Sequence, residues 1–307
     1  MLENLSRQPR QRGRFRPFRS LLFVPGNREG WAEKAVRAGA DAVILDLEDA
    51  VPEHQKESAR TTVAASIDWL HAEHPEVGVL VRPNGLLTPH VGKDLAAVVR
   101  PGLDALLLPM IRTPEDVIRY DALVTYFESE RNLDPGSISL VPTLETAQSV
   151  AHCEQIAQAT PRVASLLAAA AKGADIAREI GFVWTPEGLE TLYLRSRAIV
   201  ACRAAGITHP ICGVWQDIHD LDGLAAFAQQ NRRLGFRGQA LLHPSHVEIT
   251  NRTYGISDEE LDRYERMVAT FEAAEGRDRG AVLFEGEHID IAHVETARQI
   301  LKQAGRR

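Results

Sequence analysis

Arg19-Ser-Leu-Leu-Phe-Val-Pro-Gly-Asn27 and Gly39-Ala-Asp-Ala-Val-Ile-Leu-Asp-Leu-Glu-Asp-Ala-Val51 each carry a short apolar run that breaks off into polar residues. Leu21–Val24 runs into Pro25, Gly26 and Asn27, and Ala42–Leu45 runs into Asp46, Glu48 and Asp49. Unbroken apolar runs of this length suit strands buried on both faces, as in a parallel sheet. Chemistry then gathers where the strands end, and in a parallel barrel those ends share one rim.

The same pattern recurs at Gly78–Val81, Ala105–Leu108, Ile138–Val141, Val163–Leu167, Ile211–Trp215 and Gln239–Leu242. Helical stripes lie between the runs. Trp31, Ala35 and Ala38 form one, closed by Gly39; Leu189, Leu192, Ile199 and Cys202 form another, closed by Gly206. Eight alternating units predict a (β/α)8 TIM barrel over residues 19–248, with no inserted domain. The Arg-rich residues 1–18 read as a basic arm rather than a presequence. Residues 249–307 read as a C-terminal helical extension without a ninth strand. It is expected to hold helices over Asp258–Ala274 and Val294–Ala304, joined by a charged, flexible connection.

A chain of 307 residues with 44% hydrophobic and 25% charged residues has an ordinary globular composition. A net charge of −7 argues against general nucleic-acid binding. No apolar run approaches the roughly 18 residues of a membrane span. Cys153, Cys202 and Cys212 lack metal-type spacing, so free, buried thiols in a cytoplasmic protein are expected.

Each strand end offers functional groups. Arg82, Asn84 and Gly85 follow the third, Glu145 and Thr146 the fifth, Lys172 and Asp175 the sixth, and His243-Pro244 the eighth. Carboxylates around one Arg suit a hard divalent cation and an oxyanionic substrate. Each has a plainer alternative: Glu145 and Asp175 suit helix starts, Arg82 suits a rim ion pair, and His243 suits a turn.

These motifs resemble the citrate lyase β-subunit-like branch of the HpcH/HpaI aldolase family, over about residues 19–295. Val81-Arg82-Pro83-Asn84 is similar to that family's Val-Arg-x-Asn, and Leu144-Glu145-Thr146-Ala147 to its apolar-x-Glu-Thr-Ala setting. Asp175-Ile-Ala-Arg-Glu-Ile-Gly181 matches the helix opened by a second metal-binding carboxylate, and Leu242-His243-Pro244 the end of strand eight. Gly286-Glu-His-Ile-Asp290 is similar to a Gly-x-Met-Ile-Asp setting. The chain departs at Lys172-Gly173-Ala174-Asp175, where the family reads Gly-Ala-Glu-Asp, and at Cys212, where many relatives have Asp.

The resemblance implies Mg²⁺ on Glu145 and Asp175, with Arg82 and Asp290 as catalytic residues. Pro25, Gly26, Asp46, Glu48 and Arg82 are expected around the substrate. The implied reaction is cleavage of a malyl-, citramalyl- or citryl-type 3-hydroxyacyl-CoA to acetyl-CoA and a 2-oxo acid. Arg28 or Lys56 would meet the CoA phosphates, and Asp290 would cross between subunits of a homo-oligomer, a trimer. A CoA-independent 2-oxo acid aldolase and a non-catalytic assembly subunit are the competing expectations.

Overall fold

The computed structural model describes residues 15–275 and 281–306, and the chain divides into two compact units, one ending at Tyr254 and the other starting at Gly255. In the first, eight parallel strands close into a barrel in sequence order: β1 Ser20–Pro25, β2 Ala42–Asp46, β3 Gly78–Arg82, β4 Ala105–Leu108, β5 Ser139–Leu144, β6 Leu167–Ala168, β7 Ile211–Cys212 and β8 Gly238–Leu241. Closure is made by β1 on β8, with Leu21 opposite Ala240 and Leu22 opposite Leu241. The (β/α)8 barrel is thus present as expected.

Alternation along each strand builds two cores. Leu22, Val24, Val43, Leu45, Val79 and Val81 face the helices, where Val63, Ile67, Leu95 and Val117 pack against them. Leu21, Ala42, Ile44, Leu80, Ala105, Leu107, Val141, Leu167, Ile211 and Ala240 fill the interior. The intervening helices start where capping chemistry allows. Pro114–Glu130 opens with a capping box between Thr113 and Asp116 and buries Val117, Tyr120 and Val124.

The sixth and seventh strands are shorter than expected. Val163 makes one isolated bridge to Leu140, and regular pairing runs only through Leu167–Ala168 and Ile211–Cys212. Residues 1–14 of the expected arm lie outside the described residues. Phe15 and Phe18 meet edge to face at 5.3 Å and pack onto the interior core at its N-terminal end. Arg16 bonds the carbonyls of Pro75 and Glu76 at 2.9 and 3.1 Å, and His209 Nε2 lies 2.8 Å from the Phe18 carbonyl.

The second unit corrects the expectation of a purely helical extension. Helices Asp258–Glu275 and Ile291–Gln303 flank an antiparallel hairpin, β9 Ala281–Phe284 and β10 Glu287–Asp290. Both turn residues have positive φ, Glu285 at 48° and Gly286 at 86°, as a two-residue hairpin turn of matching twist requires. Met267, Phe271, Phe284, Ile289, Val294 and Ala297 form this unit's own core. The expected connection at Gly276–Gly280 lies outside the described residues.

Candidate active site

At the C-terminal rim of the barrel lies a cavity of about 690 Å³, lined among others by Pro25, Asp46, Asp49, Arg82, Glu145 and Asp175. Register explains part of this convergence. Pro25, Asp46 and Arg82 occupy one row, Pro25 opposite Asp46 and Asp46 opposite Arg82. Gly26 sits beneath the row and donates its N–H to the Asp46 carbonyl at 2.8 Å. A Cβ there would lie 2.5 Å from that oxygen, so only glycine permits the approach.

Arg82 is held in a fork. Its Nε and Nη2 donate to the two oxygens of Asp46 at 2.8 and 2.7 Å, and Nη1 lies 3.1 Å from Glu48 and 3.7 Å from Asp49. The Phe23 ring lies 5.0 Å from the guanidinium carbon. Burial works to lower the guanidinium pKa, but the hydrogen bonds and charge of Asp46, with Glu48 and Asp49, outweigh it. Arg82 therefore stays charged, with its plane fixed. Asp46 is pinned in turn by the N–H groups of Glu48 and Ala50, at 2.9 and 3.2 Å.

Glu48 experiences the opposite balance. Burial pushes its carboxyl up to about 8, with Asp49, Glu145 and Asp46 adding to the rise and Arg82 opposing it. It lines a neighbouring cavity of about 460 Å³ with Met110, Arg112 and Arg119. Lys56 does not extend toward a phosphate. Its Nζ is buried and donates to the carbonyls of Leu47 and Glu48 at 2.7 Å each and to Asn84 Oδ1 at 2.6 Å. That bracing holds the loop carrying Glu48. Arg28 remains available: it and Lys34 flank the half-exposed Trp31 ring at 5.8 and 5.0 Å, and among the described residues neither cation is ion-paired.

Glu145 follows β5 directly, and Asp175 opens the helix Asp175–Ile180 after β6. The N–H of Met110 donates to Glu145 Oε1 at 2.5 Å, from a left-handed backbone with φ 53°. Among the described residues Glu145 has no ion pair. Burial raises its carboxyl to about 7; Met110 N–H and Arg82 oppose the rise, while Asp175 and Asp49 add to it. Asp175 is bonded by Arg178 across one helical turn, and the altered Lys172–Ala174 stretch leaves Lys172 exposed near Asp217, whose carboxyl it helps to lower.

Among the described residues, no three His, Cys, Asp or Glu side chains converge as a closed metal cage. The donor set nevertheless fits Mg²⁺, which keeps several waters and takes only one or two carboxylates. Thr143 lines the cavity, and its Oγ1 is buried without a hydrogen-bond partner. His243 turns back, Nδ1 at 2.8 Å from Ser245 Oγ, which is the turn-organising role. Cys212 is buried, and burial pushes its thiol up to about 12.

Asp290 belongs to the second unit. Its carboxylate caps the helix Ile291–Gln303, accepting from Ala292 and His293 N–H at 3.0 and 3.4 Å, and lies 2.7 Å from His293 Nδ1. His293, which sequence reasoning missed, lowers the Asp290 carboxyl below its usual range.

A parallel barrel with carboxylates and a forked arginine at its rim describes a class of metal-assisted lyases and aldolases. Residues 19–244 match the model of the HpcH/HpaI aldolase/citrate lyase family, and the chain belongs to that family. It is 33% identical to a (3S)-malyl-CoA thioesterase of Cereibacter sphaeroides, across 94% of this chain and 95% of the relative. It is 32% identical to an L-malyl-CoA/beta-methylmalyl-CoA lyase of the same organism, with the same coverage. Among solved structures, CitE from Mycobacterium tuberculosis in complex with magnesium, acetoacetate and coenzyme A is 27% identical, with a TM-score of 0.73, and covers 94% of this chain and 98% of its own. The protein is an enzyme of the lyase class. No helix among the described residues is long and apolar enough to cross a membrane.

Proposed function

We propose that this enzyme cleaves a 3-hydroxyacyl-CoA of the malyl-, citramalyl- or citryl-CoA type to acetyl-CoA and a 2-oxo acid, with Mg²⁺ held by Glu145 and Asp175. The observation that carries the reading is the meeting of those two carboxylates with the Asp46-locked Arg82 in one cavity. The CoA lyase similar to this chain and the magnesium- and coenzyme A-bound CitE structure support it.

Bound Mg²⁺ would act as a Lewis acid on the oxygen that becomes the ketone of the 2-oxo acid. Arg82 neutralises negative charge growing on the same half, its plane fixed in advance by Asp46. In the cleavage direction the ionised Asp290 carboxylate takes the 3-hydroxyl proton as the C2–C3 bond breaks. The electron pair passes to the thioester α-carbon, which takes a proton from Asp290. Asp290 would come from a neighbouring subunit of a homo-oligomer, a trimer on the family resemblance. Arg28 and Lys34, beside Trp31, supply charge and a stacking face for the nucleotide end of CoA.

Calorimetric titration of Mg²⁺ into wild-type, Glu145→Gln and Asp175→Asn protein tests the metal assignment. Each substitution removes a charged ligand and should weaken binding at least tenfold. Undiminished affinity in both variants would move the metal elsewhere.

A further inference from the structure

Among the described residues, Thr143 is the one hydroxyl-bearing side chain lining the cavity, and it is 5% exposed. It lies on β5 two residues before Glu145, so both side chains point to the same side of the strand, one strand layer apart, or about 6–7 Å. The cavity wall at this depth is apolar, with Leu107, Leu167, Val214 and Ala240 contributed by four other strands or strand ends. Thr143 Oγ1 has no hydrogen-bond partner, although most buried hydroxyls have one. A β-branched apolar residue would fill the same volume without leaving a polar atom unmet, so the hydroxyl has no packing explanation.

We infer that Thr143 is a substrate-binding residue whose hydroxyl, turned into the cavity about the Cα–Cβ bond when substrate binds, donates its proton to an oxygen of the 2-oxo acid half. The inference rests on the proposed function and adds to it a specificity contact one layer below the metal carboxylates. The ligand oxygen would repair the unmet hydroxyl, so binding and free-state stability pull in opposite directions at this position. A purely structural threonine has no such opposition.

The test compares wild-type, Thr143→Val and Thr143→Ser in two measurements. The first is calorimetric binding of glyoxylate, pyruvate and oxaloacetate in the presence of Mg²⁺, using whichever of the three binds wild-type most tightly. Thr143→Val, nearly isosteric, should weaken that binding about tenfold or more, as expected for losing a hydrogen bond to a charged ligand. Thr143→Ser should stay within about threefold of wild-type. The second is the melting temperature without metal or oxo acid, where Thr143→Val should match or exceed wild-type. Unchanged oxo acid binding in Thr143→Val, or a lower metal-free melting temperature, would overturn the inference. Should the valine variant not fold, that also counts against it, since it shows the hydroxyl to be structural. Wild-type protein that binds Mg²⁺ yet none of the three acids would overturn this inference alone; wild-type that binds no Mg²⁺ would sink the metal reading beneath it as well.

Discussion

Arg82→Lys keeps the positive charge opposite Asp46 but removes the planar fork. In the native site the guanidinium makes two bonds to Asp46, at 2.8 and 2.7 Å, and reaches Glu48 at 3.1 Å. An ammonium on a shorter stem keeps about one of these and leaves its plane undefined. A hydrogen bond to a charged group contributes roughly 1.5–3 kcal/mol, taken at the lower end because the side chain retains some solvent contact. If that contribution acts on charge that grows during bond cleavage, turnover should fall about 10- to 100-fold, since each 1.36 kcal/mol is tenfold. The assay is the appearance of acetyl-CoA and 2-oxo acid from malyl-CoA at saturating Mg²⁺, with urea unfolding alongside. Folding should survive, because Asp46 keeps a counter-charge and its bonds from Glu48 and Ala50 N–H. A kcat within twofold of wild-type would refute the argument and leave Arg82 as a rim ion pair.

Mg²⁺ affinity should depend on pH. Glu145 is raised to about 7 in the metal-free protein, and a proton must leave before the carboxylate can ligate. Affinity should therefore be flat above that value and fall toward tenfold per pH unit below it; a flat titration between pH 5 and 8 would exclude Glu145. Asp290→Asn keeps a good helix cap and should fold normally, yet proton exchange at the acetyl-CoA methyl should drop roughly 10²-fold. Mixing Asp290→Asn with Arg82→Ala subunits should restore some activity if the second unit serves a neighbour. Away from the site, Arg162 bonds the fully buried Glu128 at 2.7 Å and Asp121 at 2.6 Å. Arg162→Ala strands the Glu128 charge and should cost about 3–5 kcal/mol in urea unfolding; a loss under 1 kcal/mol would show the pair to be inessential.

The barrel was legible because burial on both faces forces unbroken apolar runs, which punctuation residues then end. The sixth run, Val163–Leu167, was read too early, since Val163 makes only an isolated bridge and regular pairing holds Leu167–Ala168. The seventh was read too long, because Gly213–Trp215 follow Cys212, where regular pairing stops. Two features were hidden by composition. The plug residues Phe15 and Phe18 sit among arginines that made the segment look like solvated arm, although Arg16 spends its charge on backbone carbonyls and Asp104. Among the described residues the hairpin has only Val282, Phe284 and Ile289 facing its core, too short an alternation to stand out. At the site, Arg82, Asp46, Glu145 and Asp175 were legible as strand-end chemistry. Met110 N–H, the Lys56 brace and the Thr143 hydroxyl were not, because backbone direction and the lack of a hydrogen-bond partner leave no mark in residue type.

The most direct test of the central claim is product analysis by mass spectrometry. Purified enzyme is incubated with malyl-CoA, citramalyl-CoA or citryl-CoA, with Mg²⁺ or with excess EDTA. Carbon–carbon cleavage predicts acetyl-CoA and a 2-oxo acid in equal amounts from at least one thioester, only with Mg²⁺ and abolished in Glu145→Gln. Release of free CoA with the hydroxy acid skeleton intact would instead show thioester hydrolysis and contradict the proposed reaction.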